Sequence, residues 1–332
     1  MYRHSCHLFW ADEGQRHEYG QDGLDYDRGY DSSVLLRHPG LKGRNSVPFE
    51  RMRTSMSKIR LAAFDFDGTL VPKDIPNLDL ETDIVALLQK LRQQGVYITV
   101  ATGRHPSYIL KRIHRFTFDA IVGYSGNVTL IANQLQAFIF DPAVVRQIAA
   151  YAGQLPQLDV TAYTREGIAC CGSRKHQAEL KARLAQTERI CDLNGVTEFL
   201  LSEESSVPAM RVSRICLHYA DSAQASAIQT AFPKQFHDYR LVRTGNRQME
   251  VLHAGRSKAT ETLKLAARFQ VRADQVAAVG DDENDLEMLQ RFHPSYYVGS
   301  HHPLLQQAAT YTAASCRDVL AALTNKEGER NA

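Results

Sequence analysis

Long apolar runs are missing from this 332-residue chain. No stretch approaches the roughly 18 consecutive apolar residues of a membrane-spanning helix, so no span is expected. Charge of one sign is scarce too: 39 basic against 37 acidic side chains leave a net +2. That balance excludes the broad basic face that grips nucleic acid or anionic membranes. Cysteine is sparse and unpatterned. Cys6, Cys170, Cys171, Cys191, Cys216 and Cys316 form no C-x-x-C pair and no zinc-finger spacing. They are expected to be thiols in a reducing cytoplasm, with Cys170 and Cys171 facing opposite sides of one strand. The opening residues also lack the basic start, apolar run and cleavage site of a secretory signal. What remains is ordinary globular composition, 44% hydrophobic and 23% charged, with material for one large domain or two.

Residues 1–56 differ from the rest. The stretch 12–33 mixes acids, Arg, Gly, Tyr and Gln without helical or strand period, so a disordered tail is expected there. The functional protein is expected to begin near Met56. His4, His7, His17 and His38 fall in this tail and are read as tail residues, not ligands.

From Ile59 the pattern alternates between β and α. Strands are expected at 59–64, 97–101, 120–123, 276–279 and 296–298. Helices are expected at 79–94, 107–114, 257–269, 284–291 and 318–323. The first carries Ile84, Leu87, Leu88 and Leu91 at helical spacing and stops at Gly95. Segments 128–131 and 135–140 flank Asn133-Gln134, a hairpin signal. At Asp141-Pro142 a helix cap and a first-turn proline open a different style. Amphipathic strands are expected at 158–163, 168–171, 211–219 and within 239–252, with a helix at 222–232. The fold class is therefore α/β: a doubly wound parallel sheet over 57–141 and 245–332, with an inserted α+β domain over 142–244.

Ligands bind beyond the carboxyl ends of such strands. Strand 59–64 runs into Asp65-Phe66-Asp67-Gly68-Thr69. Strand 97–101 runs into Thr102-Gly103-Arg104. Strand 276–279 runs into Gly280-Asp281-Asp282-Glu283-Asn284-Asp285, and Lys258 opens a helix after Gly255-Arg256-Ser257. A rim of carboxylates suits Mg²⁺, which takes oxygen ligands and offsets their repulsion. Phosphoryl transfer needs a nucleophile, a metal and donors around phosphorus, and carboxylates serve as nucleophiles. In that reading Asp65 attacks and ligates metal, while Asp67 handles the proton of the leaving oxygen and then of water. Gly68 permits the turn, Thr102 donates to phosphate and Lys258 offsets charge. Asp281 ligates metal, and Asp285 positions the lysine or metal waters.

The order of these motifs resembles the haloacid dehalogenase (HAD) superfamily. The run from Gly280 through Leu289 is similar to its Cof-type phosphatases, with a Rossmann-like core and a C2B (type IIB) cap inserted between the second and third motifs. The resemblance implies Mg²⁺-dependent hydrolysis of small phosphate monoesters, such as sugar phosphates or phosphorylated cofactors, through an aspartyl-phosphate. It implies phosphate contacts from Thr102, Gly103, Lys258 and Asn284. It implies metal contacts from Asp65, the Asp67 backbone carbonyl and Asp281, with Asp285 behind them. The cap sets substrate choice, and the protein is expected to act as a monomer or weak homo-oligomer on a small phosphorylated metabolite.

Two places depart from the family. Where it often has Asn-Gly-Ala, this chain has Gly126-Asn127-Val128, so Asn127 is expected to keep the Asn role as a substrate contact. Gly299-Ser300-His301-His302-Pro303 replaces a run of small residues, and His301-His302 is read as loop or substrate edge. Arg104 is left between a substrate or cap contact and a salt bridge, and Glu250 between the cleft and a structural role. Asp282 and Glu283 are read as loop charges and Lys264 as a surface lysine. Two other functions share the motifs: a phosphotransferase or mutase, and a signalling or binding protein with a long-lived phospho-aspartate.

Overall fold

The computed structural model describes residues 9–11, 58–73, 79–164, 168–171, 211–244 and 247–325. An interior strand of the larger sheet, Leu61–Phe64, is buried at every position because helices cover both its faces. Ala62 and Phe64 join the hydrophobic cluster on one side, Leu61 and Ala63 the cluster on the other.

The chain runs through β1 (Phe9–Ala11), β2 (Leu61–Phe64), α1 (Thr82–Gln93), β3 (Tyr97–Ala101), α2 (Pro106–Arg112), β4 (Ala120–Gly123), β5 (Val128–Ile131) and β6 (Gln134–Ala137). It then forms α3 (Pro142–Gly153), β7 (Asp159–Tyr163), β8 (Ile168–Cys171), β9 (Arg214–His218), α4 (Ser222–Gln235), β10 (Tyr239–Arg243) and β11 (Gln248–His253). It closes with α5 (Lys258–Arg268), β12 (Val276–Gly280), α6 (Leu286–Arg291), β13 (Ser295–Val298), α7 (Pro303–Ala308), β14 (Tyr311–Ala313) and α8 (Cys316–Asn325).

Nine strands make the first sheet, in the order β1-β6-β5-β4-β3-β2-β12-β13-β14. From β4 to β14 neighbouring strands are parallel, and β5 and β6 add an antiparallel edge. One face is covered by α1, α2 and α8 through Ile84, Leu88, Tyr108, Val319 and Leu320. The other is covered by α5 and α6 through Leu265, Ala266 and Met288. This is the expected doubly wound core. Most of the expected tail lies outside the described residues, as do His4, His7, His17 and His38. Phe9–Ala11 is the exception: it pairs in parallel with the outer edge of β6.

A second, five-stranded antiparallel sheet has the order β10-β11-β9-β7-β8. Ile148 of α3 and Ile228 and Phe232 of α4 share a hydrophobic cluster with its Val160, Ile215, Leu217, Met249 and Val251. Asp141 caps α3 as expected, accepting from the Ala143 N–H at 2.7 Å, with Pro142 in the first turn. The boundary expected at 244 is corrected by this sheet. Strand β11 lies beyond it yet pairs with both β10 and β9, so the inserted unit runs on to about His253.

Smaller corrections have local causes. The hairpin turns at Ala132-Asn133, not Asn133-Gln134, because both central residues need positive φ; they sit at 48° and 62°. Helix α6 starts at Leu286, after a tight turn in which the Asp282 side chain accepts from the Glu283 N–H at 2.8 Å. Helix α7 and strand β14 were not expected at all. Cys216 and Cys316 are buried thiols.

The buried stripe of α1 gives a direct check on this packing. Leu88 is fully buried and Leu87 only half-buried. Leu88→Ala is expected to cost about 2–5 kcal/mol in urea unfolding, and Leu87→Ala clearly less.

Candidate active site

Strand β2 lies between β3 and β12, both parallel to it. The chain winds outward through β3 and β4, then returns on the other side through β12, β13 and β14. Such a reversal opens a crevice at the carboxyl ends of the strands. Asp65 follows β2, Thr102 follows β3, Asp281 follows β12, and Lys258 is the first residue of α5.

Lys258 joins these pieces. Its Nζ donates to Asp65 Oδ1 at 2.6 Å, to Asp285 Oδ1 at 2.7 Å and to Asn284 Oδ1 at 3.0 Å. An ammonium has three donors, and all three are used. The other Asp285 oxygen accepts from the N–H groups of Asp281 and Asp282, at 3.0 and 3.1 Å. Gly280 is required here, because a Cβ on it would lie 2.4 Å from Asp285 Cγ.

Asp281 is held from the opposite side. Thr69 donates its hydroxyl to Asp281 Oδ1 at 3.0 Å. Gly68, at φ +93°, packs so closely that a Cβ would lie 2.3 Å from Asp281 Oδ2. Lys73 donates to Asp281 at 3.3 Å and to Asp282 at 2.8 Å. One carboxylate oxygen from each of Asp65, Asp281 and Asp285 lies within 4.8 Å of the others. Oxygen donors at that spacing suit a hard cation.

The electrostatics follow from crowding. Burial pushes the Asp65 pKa well above the ordinary aspartate range; the Lys258 charge opposes this, and Asp285 and Asp281 add to it. Burial and the Asp285 charge raise Asp281 as well, against Lys73 and the Thr69 hydrogen bond. Burial works against the Lys258 charge, but Asp285 and Asp65 outweigh it and hold its pKa above that of an ordinary lysine.

Asp67 is held by a different cation. Arg104 grips it with two hydrogen bonds, Nε to Oδ2 at 2.9 Å and Nη2 to Oδ1 at 3.2 Å. In this structure Arg104 is thus salt-bridged to Asp67. Thr102 is buried, and its hydroxyl accepts from the Arg104 N–H at 3.1 Å. Gly103 borders Ser125 and Asn284: a Cβ on it would lie 3.7 Å from Ser125 Oγ and 3.8 Å from Asn284 Nδ2.

Asn127 requires a correction. It is fully buried, and its Nδ2 points to the Val251 carbonyl at 3.5 Å, not to the rim. The loop before it turns through positive φ at Tyr124, Ser125 and Gly126, which brings Ser125 to the rim instead. Ser125 donates to Glu250 Oε2 at 2.7 Å, and Arg214 donates to Glu250 Oε1 at 3.0 Å. Glu250 is thus a fully buried link between the two sheets. His302 approaches Glu283 at 3.6 Å, while His301 is exposed. Lys264 is exposed and pairs with Glu261. Lys73, Thr69, Ser125 and Arg214 had no expected role. Only Thr69 carried a signal, as the last residue of the first motif.

A model of the haloacid dehalogenase-like hydrolases matches residues 62–322, and the chain belongs to that family. It is 26% identical over 251 residues to an HMP-PP phosphatase of Citrobacter koseri, covering 74% of this chain and 86% of that protein. Among solved structures, the HAD phosphatase BT1666 of Bacteroides thetaiotaomicron superposes with a TM-score of 0.66 at 18% identity, covering 81% of this chain and 94% of that one. The subclass IIB sugar phosphatase BT4131 gives 0.64 at 15%, covering 81% and 99%. At these identities the structural likeness speaks for the fold alone.

The raised pKa of Asp281 carries a sign that stability measurements can read. A carboxylate whose folded pKa is raised penalises the fold above that pKa and not below its unfolded value, about 4. In chelator, Asp281→Asn is therefore expected to melt above wild type at neutral pH. The difference should shrink as pH falls toward 4. A variant that melts lower at pH 7 would show that the Thr69 and Lys73 contacts outweigh the repulsion.

Proposed function

We propose that this protein hydrolyses small phosphate monoesters, with Mg²⁺ bound and Asp65 as the nucleophile. The observation that carries the proposal is the Lys258 ammonium shared between Asp65 and Asp285, with Asp281 and Asn284 around it. A surface ion cluster has no need to bury a lysine among three acceptors at a strand terminus. The motif order and the family membership support the same reading.

The oxygen donor set fits Mg²⁺. Asp65 and Asp281 would hold it, together with the Asp67 backbone carbonyl by resemblance to the family, and Asp285 behind them. Bound there, it would neutralise phosphoryl oxygens and the repulsion that raises Asp65 and Asp281. Lys258 occupies Asp65 Oδ1 and leaves Oδ2 as the attacking oxygen. The phosphoryl group would lie against Lys258, the Thr102 hydroxyl, the Gly103 backbone and Asn284. Oδ2 bonds to phosphorus as the ester P–O bond breaks, and Asp67 gives its proton to the departing oxygen. Asp67 then takes a proton from water, whose oxygen bonds to phosphorus. The bond to Asp65 breaks, releasing inorganic phosphate and the original carboxylate.

Arg104 fits this sequence as a gate on Asp67. While it grips both Asp67 oxygens, that carboxylate acts only as an acceptor. An incoming anion that draws the guanidinium away frees Asp67 to carry a proton. The second sheet serves as the cap, sequestering the cleft from bulk water and presenting residues that choose the substrate.

Phosphate release from p-nitrophenyl phosphate tests the chemistry. Asp65→Asn is expected to lower kcat by on the order of 10³-fold or more, and EDTA to abolish turnover until Mg²⁺ is restored. Full activity in the variant, or in EDTA, contradicts the proposal. Transfer to an added alcohol in place of phosphate release would instead indicate a phosphotransferase.

Cation binding has a readout apart from activity. Mg²⁺ at a hundred times its Kd should stabilise the wild type by about 2.7 kcal/mol, raising its melting temperature by several degrees. Asp281→Asn should lose most of that rise. An equal rise in the variant would move the cation site elsewhere.

A further inference from the structure

Arg214, the first residue of β9, takes no part in the chemistry above. Its Nε donates to Glu250 Oε1 at 3.0 Å, and its guanidinium carbon lies 4.8 and 5.0 Å from the ring centres of Tyr124 and Tyr163. The side chain is 12% exposed and that of Glu250 fully buried. Among the described residues, no other acceptor bonds to the Arg214 side chain. Among the described residues its two terminal nitrogens are therefore unused donors.

Two contacts connect Arg214 to the phosphoryl rim. Glu250 takes the Ser125 hydroxyl at 2.7 Å, and Ser125 borders Gly103 beside Asn284. Its charge is felt there as well. Burial, followed by the Arg214 charge, pushes the His105 pKa down to about 4. Burial works against the Arg104 charge and Asp67 supports it, with Arg214 among the opposing groups. Arg104, in the loop after β3, and Arg214, at the start of β9, thus lie close enough to feel each other's charge, each anchored by one carboxylate.

We infer that Arg214 is a specificity-determining residue, and that the substrate's leaving group carries a second anion, a carboxylate or phosphate, which the terminal nitrogens of Arg214 bind. The inference rests on the phosphatase reading and adds the substrate class to it. A guanidinium fork matches two oxygens of one anion, whereas a lone hydroxyl engages it at a single point. The flanking tyrosine rings limit water around the fork, which strengthens a charged contact.

Paired substrates that differ only in the second anion test this, in buffer with Mg²⁺. One pair is 3-phosphoglycerate against glycerol 3-phosphate, for a carboxylate; the other is glucose 1,6-bisphosphate against glucose 6-phosphate, for a phosphate. In wild type, one pair should favour the acid-bearing member in kcat/KM by about tenfold or more, and the pair that does so identifies the anion. In Arg214→Gln that ratio should fall toward one, whatever happens to the absolute rates. Arg214→Lys, which keeps a cation on Glu250, should give an intermediate ratio and serves if the glutamine variant fails to fold. Ratios near one for both pairs in wild type, or an unchanged ratio in the variants, overturn the inference. If wild type hydrolyses none of these, nor p-nitrophenyl phosphate, the phosphatase reading fails instead. Calorimetric binding of the same pairs to the same proteins then decides Arg214, by the same ratio.

Discussion

The rest of the site depends on one buried ammonium. Lys258 lies among Asp65, Asp285 and Asn284, and without it two adjoining carboxylates would face each other in a nearly water-free space. Burying such charges is costly unless geometry and hydrogen bonds compensate, and removing one partner typically costs about 3–5 kcal/mol. The position of the ammonium follows from where α5 begins. Ser257 and Thr260 cap that helix reciprocally, and the Ser257 hydroxyl donates to Glu287 of α6 at 2.8 Å. Strand, helix start and turn are thus fixed to one another through a single cation.

The second sheet attaches at the rim of the same crevice. The chain leaves the core at Asp141, and β11 leads back into it just before the Ser257 cap. Arg240 of β10 donates to Glu287 and to the Arg256 carbonyl, at 2.8 and 3.0 Å. Glu250 of β11 accepts from Ser125 of the core. These links bring the inserted unit to the place where a leaving group would emerge. In the proposed reading, catalytic chemistry and substrate choice would therefore belong to different residues that meet at one opening.

Much of the candidate site was legible in the chain because parallel strands deliver their polar successors to one rim. Asp65, Thr102, Asp281, Asp285 and Lys258 each follow a short apolar run or open an amphipathic helix, and the sheet brings them together. The rest depends on contacts between distant residues. Lys73 looks like any loop lysine until β12 delivers Asp281 and Asp282 to it. Arg214 and Ser125 are linked across two sheets through Glu250, with nothing local to mark either of them. The motif alone puts Asn127 at the rim, and three successive positive φ values put Ser125 there instead. The boundary at 244 failed for a related reason. Strand β11 pairs with the inserted sheet, yet it precedes the core helix so closely that its sequence reads as core.

The proposed mechanism requires that Asp65 bond to phosphorus. Borohydride quenching during turnover reduces an aspartyl-phosphate to homoserine, which peptide mass spectrometry locates. Homoserine at Asp65, dependent on substrate and absent from Asp65→Asn, is the predicted result. Homoserine at another aspartate, or an active Asp65→Asn enzyme with no modified residue, would contradict it.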